Sequence, residues 1–347
     1  MPSRRSRHHP PRPRNRTWSP WLRPPGSWHR PLVVFSASMA LFAAVCAVGL
    51  VVDERVLVGA PIWAKPFKFA VSFVAYCLTL AWMLTLLTRG RRTGRWAGHV
   101  VVATGSAEMV MITVQVVRGE RSHFNTATPF DAALWNAMGM TVATLWAATL
   151  VIAVLLLRAR VADRATALAV RGGSLIALAG AGLGFLMTRP SESRRGAVGS
   201  DPAGIVGAHS VGVPDGGPAM PLTGWSTTGG DLRVPHFVGM HALQLAPLLL
   251  VALVLLAPRL PPLRDPGVRL RLVRVAVGGY AALAALLTWQ ALRGQPLTRP
   301  DGITLAAAGA VLAAAAYGTR RALRRASPAT VPPAPASPTP EDKEPVT

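Results

Sequence analysis

Eight long apolar runs constrain the fold of this chain more than any other feature of its sequence. Each run is roughly 20 residues long, enough for an α-helix to cross the ~30 Å hydrocarbon layer of a bilayer. Of the 347 residues, 51% are hydrophobic and 15% are charged, which is too apolar for an ordinary soluble domain. The sequence therefore predicts an all-α, polytopic transmembrane bundle of about eight spans, at about 32–52, 68–88, 97–117, 132–157, 168–187, 236–257, 272–292 and 302–319.

The formal net charge is +22, and most of the basic residues lie outside the apolar runs. Arginines cluster before the first run and after the second, fourth, sixth and eighth runs, whereas the intervening loops are poorer in Lys and Arg. By the positive-inside rule, this alternation predicts that both termini are cytoplasmic. Because topology accounts for the charge, the bilayer is the expected partner and no nucleic-acid partner is expected. The pattern leaves the oligomeric state open.

Composition divides the chain into three parts. Residues 1–30 are basic and rich in Pro and Arg, and residues 320–347 are rich in Pro, so both are predicted to be disordered cytoplasmic tails. Residues 31–319 form the predicted bundle. Its external loop at 188–235 is longer than an ordinary connection and contains His209, Asp215 and Trp225. We expect this loop to form an ordered lid over the bundle.

Two polar stretches lie next to predicted spans in the sequence. The first is RGERSHFNTATPFD at 118–131, and it follows a run that contains Glu108. Glu108 lies ten residues before Arg118, which at about 1.5 Å per residue places it roughly 15 Å below the outer end of its helix. An ionisable side chain at that depth is costly and is a candidate functional residue. The second stretch is DLRVPHFVGMHALQ at 231–244, and we predict that the two stretches meet in one polar site facing the outside.

These residue types favour a metal-dependent membrane enzyme that acts on a lipid or a lipid-soluble substrate. Neutral imidazoles suit zinc, so His123, His236 and His241 are the candidate metal ligands. This set requires His236 to lie on a non-helical turn, because residues five apart on a helix differ by roughly 140°. Glu108 and Asp131 are the candidate catalytic bases. The candidate substrate-binding residues are Lys68, Gln115, Arg118, Asn125, Trp225, Asp231, Arg233 and Gln244.

Three other functions remain open for the same residues. One is a proton-coupled transporter with Glu108 and His241 as a relay. Another is a b-type haem protein in which two histidines are axial ligands, and the third is a structural membrane protein without chemistry. The cofactor is therefore left open between zinc, haem and none. For Lys68 the alternatives are snorkelling to lipid phosphates, pairing with a buried carboxylate such as Glu108, or binding an anionic headgroup.

Ser122, His123, Asp131 and the late histidine pair resemble the alkaline ceramidase and progestin-receptor-like superfamily of intramembrane hydrolases. The chain departs from that pattern, because its late pair is spaced HFVGMH instead of HxxxH and its Ser122 and His123 lie in a hairpin.

The blocks WAKPFKFA, RGERSHFN, TPFD, DGGPAMPLTGWSTTGGDLR and HFVGMHALQ resemble those of a bacterial family of multi-pass membrane proteins, over roughly residues 55–250. That resemblance implies that the blocks act as one unit in a bacterial cytoplasmic (inner or plasma) membrane. It implies no particular reaction.

Overall fold

The structure is a computed structural model that describes residues 27–189 and 204–324. It is mostly helical (72%), and within the described residues eight helices are long and apolar enough to span a membrane. The tails predicted to be disordered lie outside the described residues apart from 27–30 and 320–324. The helices are α1 (Arg30–Val52), α2 (Ala64–Leu84), α3 (Arg91–Arg118), α4 (Pro129–Arg158), α5 (Arg164–Gly182), the short α6 (Gly184–Met187), α7 (Arg233–Leu256), α8 (Pro266–Leu292) and α9 (Gly302–Arg324).

Short elements connect these helices. A 3₁₀ helix at Pro261–Arg264 precedes α8. Strands β1 (Val56–Leu57) and β2 (Ala60–Pro61) form an antiparallel hairpin between α1 and α2. Strands β3 (Ser210–Val211) and β4 (Gly230–Asp231) pair antiparallel within the long loop. All four strands are two residues long, so the sheets serve as local ties.

Local sequence sets the helix boundaries near the polar stretches. Thr128 is the N-cap of α4, and its Oγ1 accepts a hydrogen bond from Asp131 N at 3.1 Å. Pro129 follows at the first helical position, where a missing N–H costs nothing. On the other side of this connection α3 ends at Arg118, and its C-cap is Gly119, whose φ of 77° suits the left-handed conformation of a helix C-terminus. Residues 119–128 are thereby excluded from both helices, and we call them the hairpin.

Several helices begin or end away from their predicted bounds. Helix α2 begins at Ala64 instead of near residue 68, so Lys65 lies in its first turn. Helix α7 begins at Arg233, so His236 lies inside the helix. Helix α9 continues to Arg324, past the predicted end of the bundle at 319. Polar and basic residues at these ends lower the hydropathy of a sequence window but do not stop the helix.

The helices pack in two groups. Helices α1 to α4 share the larger buried core, in which Leu80, Ile112 and Met138 are almost fully buried. Helices α5, α7 and α8 enclose a smaller core that includes Leu250 and Val273. The contact between α5 and α7 is extensive and is formed by small residues along both helices.

The ends of several helices meet at one end of the bundle. Trp63 Nε1 donates to Asp53 Oδ2 at 2.8 Å, which joins the end of α1 to the start of α2. Arg55 Nη1 donates to Val116 O at 3.3 Å, which adds the end of α3. The hairpin and the start of α7 lie at the same end. We call it the lid end, because the described part of the long loop covers it.

The lid, residues 204–232, is tied to the hairpin and to the helices below it. These contacts are hydrogen bonds from Thr126 N to Gly204 O (2.6 Å), from Val206 N to Phe124 O (3.0 Å) and from Ala208 N to Met187 O (3.0 Å). Within the lid, Leu232 N donates to His209 O at 3.0 Å. Such bonds satisfy polar backbone groups that would otherwise lie unpaired over an apolar bundle. The lid and the hairpin therefore form one packed layer.

Candidate functional site

The ring of Phe124 forms the centre of the site beneath the lid. It is 5% exposed, and its centroid lies 5.0 Å from that of Trp135, 5.0 Å from that of His209 and 6.2 Å from that of His123. Phe124 has a φ of 64°, a left-handed conformation that costs a non-glycine residue about 1–2 kcal/mol. Backbone strain of this kind persists where packing fixes it, and it is frequent at functional sites.

Glu108 and His123 form a pair on one side of this ring. Glu108 is 2% exposed, and its Oε2 accepts a hydrogen bond from Thr141 Oγ1 at 3.0 Å. Its Oε1 accepts no hydrogen bond from the described residues and lies 3.5 Å from His123 Nε2. On the other edge of the imidazole, His123 Nδ1 lies 3.3 Å from Ser122 Oγ. The imidazole therefore lies between a hydroxyl group and a buried carboxyl group.

The surroundings of His123 favour its neutral form. Phe69 and Trp135 flank the ring at centroid distances of 6.0 Å and 5.7 Å. Burial lowers the pKa of His123 well below its usual value, and the positive charges of Lys65 and His209 lower it further. A hydrogen bond to the Ser122 backbone acts in the opposite direction and is weaker. One nitrogen of His123 is therefore free to accept a proton at neutral pH.

His209 and Asp215 form a second pair, within the lid. His209 Nδ1 lies 3.0 Å from Asp215 Oδ2, and the carboxylate also accepts hydrogen bonds from His209 N at 3.0 Å and from Ser210 N at 2.8 Å. Burial alone would raise the pKa of Asp215, but these hydrogen bonds lower it below the usual range. Burial lowers the pKa of His209, while the Asp215 carboxylate opposes this effect. Asp215 thus orients the imidazole through Nδ1 and leaves Nε2 for other partners.

Lys65 connects the two pairs electrostatically. Its side chain is half-buried at the start of α2, and its charge acts on Glu108, His123 and His209. Lys68 lies one turn further on, and its Nζ donates to Thr223 O in the lid at 3.2 Å. Lys65, not Lys68, is therefore the lysine that acts on Glu108. Of the three alternatives for Lys68, pairing with Glu108 does not match this geometry.

Asp131 is fully engaged by its neighbours. Its Oδ1 accepts hydrogen bonds from Gln115 Nε2 at 2.8 Å and Arg118 Nη1 at 2.5 Å, and its Oδ2 accepts one from Thr128 Oγ1 at 2.6 Å. A carboxylate with both oxygens occupied in this way holds structure together and has no free oxygen for a substrate proton. The expectation that Asp131 is a catalytic base does not fit this geometry.

Most of the predicted substrate-binding residues also bind other parts of the chain. Gln115 and Arg118 bind Asp131, and Asn125 Oδ1 accepts a hydrogen bond from Ala127 N at 3.0 Å. Gln244 differs, because its Oε1 is buried and accepts no hydrogen bond from the described residues.

The remaining predicted residues fasten the lid. Asp231 Oδ2 accepts hydrogen bonds from Ser226 N at 2.8 Å and Arg233 Nη2 at 2.6 Å, while Arg233 Nη2 also donates to Gly224 O at 2.6 Å. Trp225 packs on Phe237 of α7, with ring centroids 6.0 Å apart. These contacts close the lid over the bundle.

The predicted metal ligands are not brought together. His123 faces Glu108, the Nδ1 atom of His236 lies 2.8 Å from Gly180 O, and His241 packs on Phe237 at a centroid distance of 4.3 Å. The part of the chain that the structure describes contains no group of three or more His, Cys, Asp or Glu side chains that could hold a metal ion. The predicted ligand set is wrong, because α7 begins before His236 and the helical rotation separates His236 from His241.

Four residues of the site have no predicted catalytic, metal-binding or substrate-binding role. Lys65, His209 and Asp215 were predicted only as members of their block or of the lid, and Ser122 only as part of the resemblance to intramembrane hydrolases. His209 and Asp215 are six residues apart in a loop rich in Gly and Pro, a spacing that suits a turn closed by a side chain. For Lys65 the sequence offered no signal that separates it from Lys68.

The eight apolar helices support a multi-pass transmembrane protein with a polar site at one end of its bundle. Comparisons with models of protein families, with curated proteins and with solved structures found no match to this chain.

Proposed function

We propose that the protein is an integral membrane enzyme that performs general acid–base chemistry on a lipid or lipid-soluble substrate. One observation carries the proposal: two imidazole–carboxyl pairs, Glu108–His123 and Asp215–His209, both contact the ring of Phe124 beneath the lid. Paired acid and base groups in different environments are typical of enzymes that both remove and donate protons.

The two pairs differ in a way that suggests separate roles. His123 is half-buried and neutral, so it is unprotonated at neutral pH and available as the base. His209 donates to the ionised Asp215, which opposes the effect of burial on the His209 pKa, so His209 holds a proton more readily than His123 and is the better acid of the two. In its protonated form, Lys65 can stabilise negative charge as it develops on the substrate. Acid–base groups of this kind contribute about 10²- to 10⁴-fold each to rate.

The depth of the site supports a substrate that enters from the bilayer. Glu108 lies ten residues before the end of α3, which corresponds to roughly 15 Å along the helix. The walls around His123 include the aromatic rings of Phe69 and Trp135. A substrate that reaches His123 at this depth must tolerate an apolar environment.

The distribution of arginine supports an external site. Arginines concentrate at the bundle end opposite the lid, as at Arg91, Arg158 and Arg324. With the positive-inside rule, this supports a topology in which both termini are cytoplasmic and the lid end is outside. The resemblance of the sequence blocks to a bacterial multi-pass family supports the cytoplasmic membrane of a bacterium as the location.

The test compares lipids from bacterial cells that overproduce the wild type, His123→Gln, His209→Gln or His99→Gln. His99 lies on the same helix as Glu108 but near its other end, beside Trp96, so it is the matched control. Mass spectrometry of the extracts should show a product that the wild type and His99→Gln form and the other two variants do not. Identical lipid profiles for all four proteins, at equal folded amounts, would overturn the proposal.

A further inference from the structure

Ser122, His123 and Glu108 form a row of three groups that the acid–base proposal uses only in part. Ser122 Oγ is 3.3 Å from His123 Nδ1, and His123 Nε2 is 3.5 Å from Glu108 Oε1. Ser122 and Glu108 are 7% and 2% exposed. Among the described residues, Ser122 Oγ has no hydrogen-bond partner other than this imidazole.

Ser226, a second serine near the site, is an example of a hydroxyl with a structural role. Ser226 is also 7% exposed, and its Oγ accepts hydrogen bonds from the backbone N–H groups of Thr228 at 3.4 Å and Gly229 at 3.1 Å. Its hydroxyl closes a turn in the lid. Ser122 closes no turn through its side chain, and its hydroxyl is directed to a base.

Glu108 determines how His123 can serve Ser122. A carboxylate beside Nε2 favours the tautomer with its proton on that nitrogen, because the carboxylate can accept that hydrogen bond. Nδ1 then carries the lone pair and can accept the Ser122 proton. In soluble hydrolases with a Ser–His–Asp triad the two nitrogens have the opposite assignments, but the relay through the imidazole is the same. The row therefore has the order of groups that activates a serine.

We infer that Ser122 is a covalent nucleophile toward the acyl group of a lipid-soluble ester, with His123 as its base and Glu108 as the residue that positions His123. This inference rests on the proposed acid–base function and names its substrate class.

The reaction balances with water as the only co-reactant. As Ser122 Oγ bonds to the carbonyl carbon, its proton moves to His123 Nδ1 and the carbonyl electron pair moves onto the oxygen. When that pair returns, the bond from carbon to the alcohol oxygen breaks and His123 donates its proton to the departing alcohol. Water then attacks the acyl-serine, His123 takes its proton and returns it to Ser122 Oγ, and a carboxylic acid leaves. The charge of Lys65 lies near enough to act on His123 and Glu108 throughout.

The test uses a long-chain alkyl fluorophosphonate, which phosphonylates activated serines, on the full-length protein in lipid nanodiscs. Peptide mass spectrometry should find the adduct on Ser122 in the wild type and at an equal rate in Ser226→Ala. His123→Gln should slow labelling by about 10²-fold or more, since the base is lost. Glu108→Gln should also slow labelling, whereas Glu108→Asp should retain part of the wild-type labelling rate. A purely structural role of Glu108 would not predict this difference between the two variants.

Two outcomes would overturn the inference. One is the absence of an adduct on Ser122 in folded wild-type protein, and the other is an equal labelling rate in the wild type and His123→Gln. The acid–base function is tested separately by the lipid profiles. If Ser122 is not labelled but the histidine variants still lose the product, the covalent step fails and the acid–base proposal stands.

Discussion

The carboxylates at the lid end are of two kinds, according to what occupies their oxygens. Asp131 and Asp231 accept hydrogen bonds on both oxygens from charged and neutral donors. Glu108 leaves Oε1 to the imidazole of His123. Sequence alone identifies all three as candidates, since Glu108 lies within an apolar run and Asp131 and Asp231 lie near the start of one. It does not reveal which oxygens are occupied, because the donors come from the hairpin, the lid and neighbouring helices.

The first prediction concerns Asp131→Asn. The asparagine keeps the shape but loses the negative charge that Arg118 and Gln115 bind, so the free energy of unfolding should fall by about 2–3 kcal/mol. Asp301→Asn is the control, because its partner Arg293 and Asp301 itself are both about one-third exposed and the loss should be smaller. Denaturant unfolding in detergent measures both. Equal losses in the two variants would contradict a structural role specific to Asp131.

The second prediction concerns pH. The pKa values of His123 and His209 are lowered in the folded protein, so the unfolded chain binds more protons below its own histidine pKa of about 6.5. Stability should therefore be fully present above that pH and fall as the pH drops toward the folded pKa values. Each histidine can contribute up to about 1.4 kcal/mol per pH unit.

The measurement is the melting temperature at pH 5.5 and pH 7.5. It should be lower at pH 5.5 in the wild type, and the difference should shrink in His123→Gln and His209→Gln. An unchanged difference in both variants would show that other groups titrate.

At the scale of helices, the close contact between α5 and α7 positions one side of the lid end. A Cβ added at Gly180 would lie 2.6 Å from Gly239 Cα, so the two backbones are in direct contact. Next to this contact, the Nδ1 atom of His236 lies 2.8 Å from Gly180 O. The sequence of α5 contains small residues such as Gly180, but it does not identify their partner, because glycines occur on several helices.

The third prediction follows from that contact. Gly180→Ala should destabilise the protein by about 1–3 kcal/mol, since the helices must separate to admit the methyl group. Gly139→Ala is the matched control, because a Cβ at this helical glycine would meet no atom within 4 Å. Thermal unfolding should show a loss for Gly180→Ala and none, or a small gain, for Gly139→Ala. A loss of the same size in both would mean that backbone contact at Gly180 is not the cause.

Helix positions were predictable from hydropathy, whereas the site was predictable only in part. Spans of about 20 apolar residues identify all eight long helices, because burial in lipid imposes the same requirement on each. The pairing of His123 with Glu108 and of His209 with Asp215 depends on how the hairpin and lid pack. Most of these residues belong to segments that hydropathy assigns to loops. The pattern of residue types therefore does not predict which of them come into contact.

At the scale of the whole molecule, the polar site lies at the bundle end opposite the arginine-rich ends, and the fourth prediction tests its sidedness. Leu222 in the lid is 97% exposed, and the native Cys46 and Cys77 are buried. A membrane-impermeant maleimide should label Leu222→Cys in intact cells. It should label Arg160→Cys, in the basic connection after α4, only after permeabilisation. The reverse pattern would place the site on the cytoplasmic side.

The most direct test of the central claim is a double-mutant cycle on the product identified in the lipid comparison. Turnover is measured in nanodiscs for the wild type, His123→Gln, His209→Gln and the double variant. If the two histidines act as one acid–base unit, each single variant should lose about 10²-fold or more and the double variant should lose little beyond the larger single loss. Losses that multiply in the double variant, or wild-type turnover in either single variant, would contradict the account.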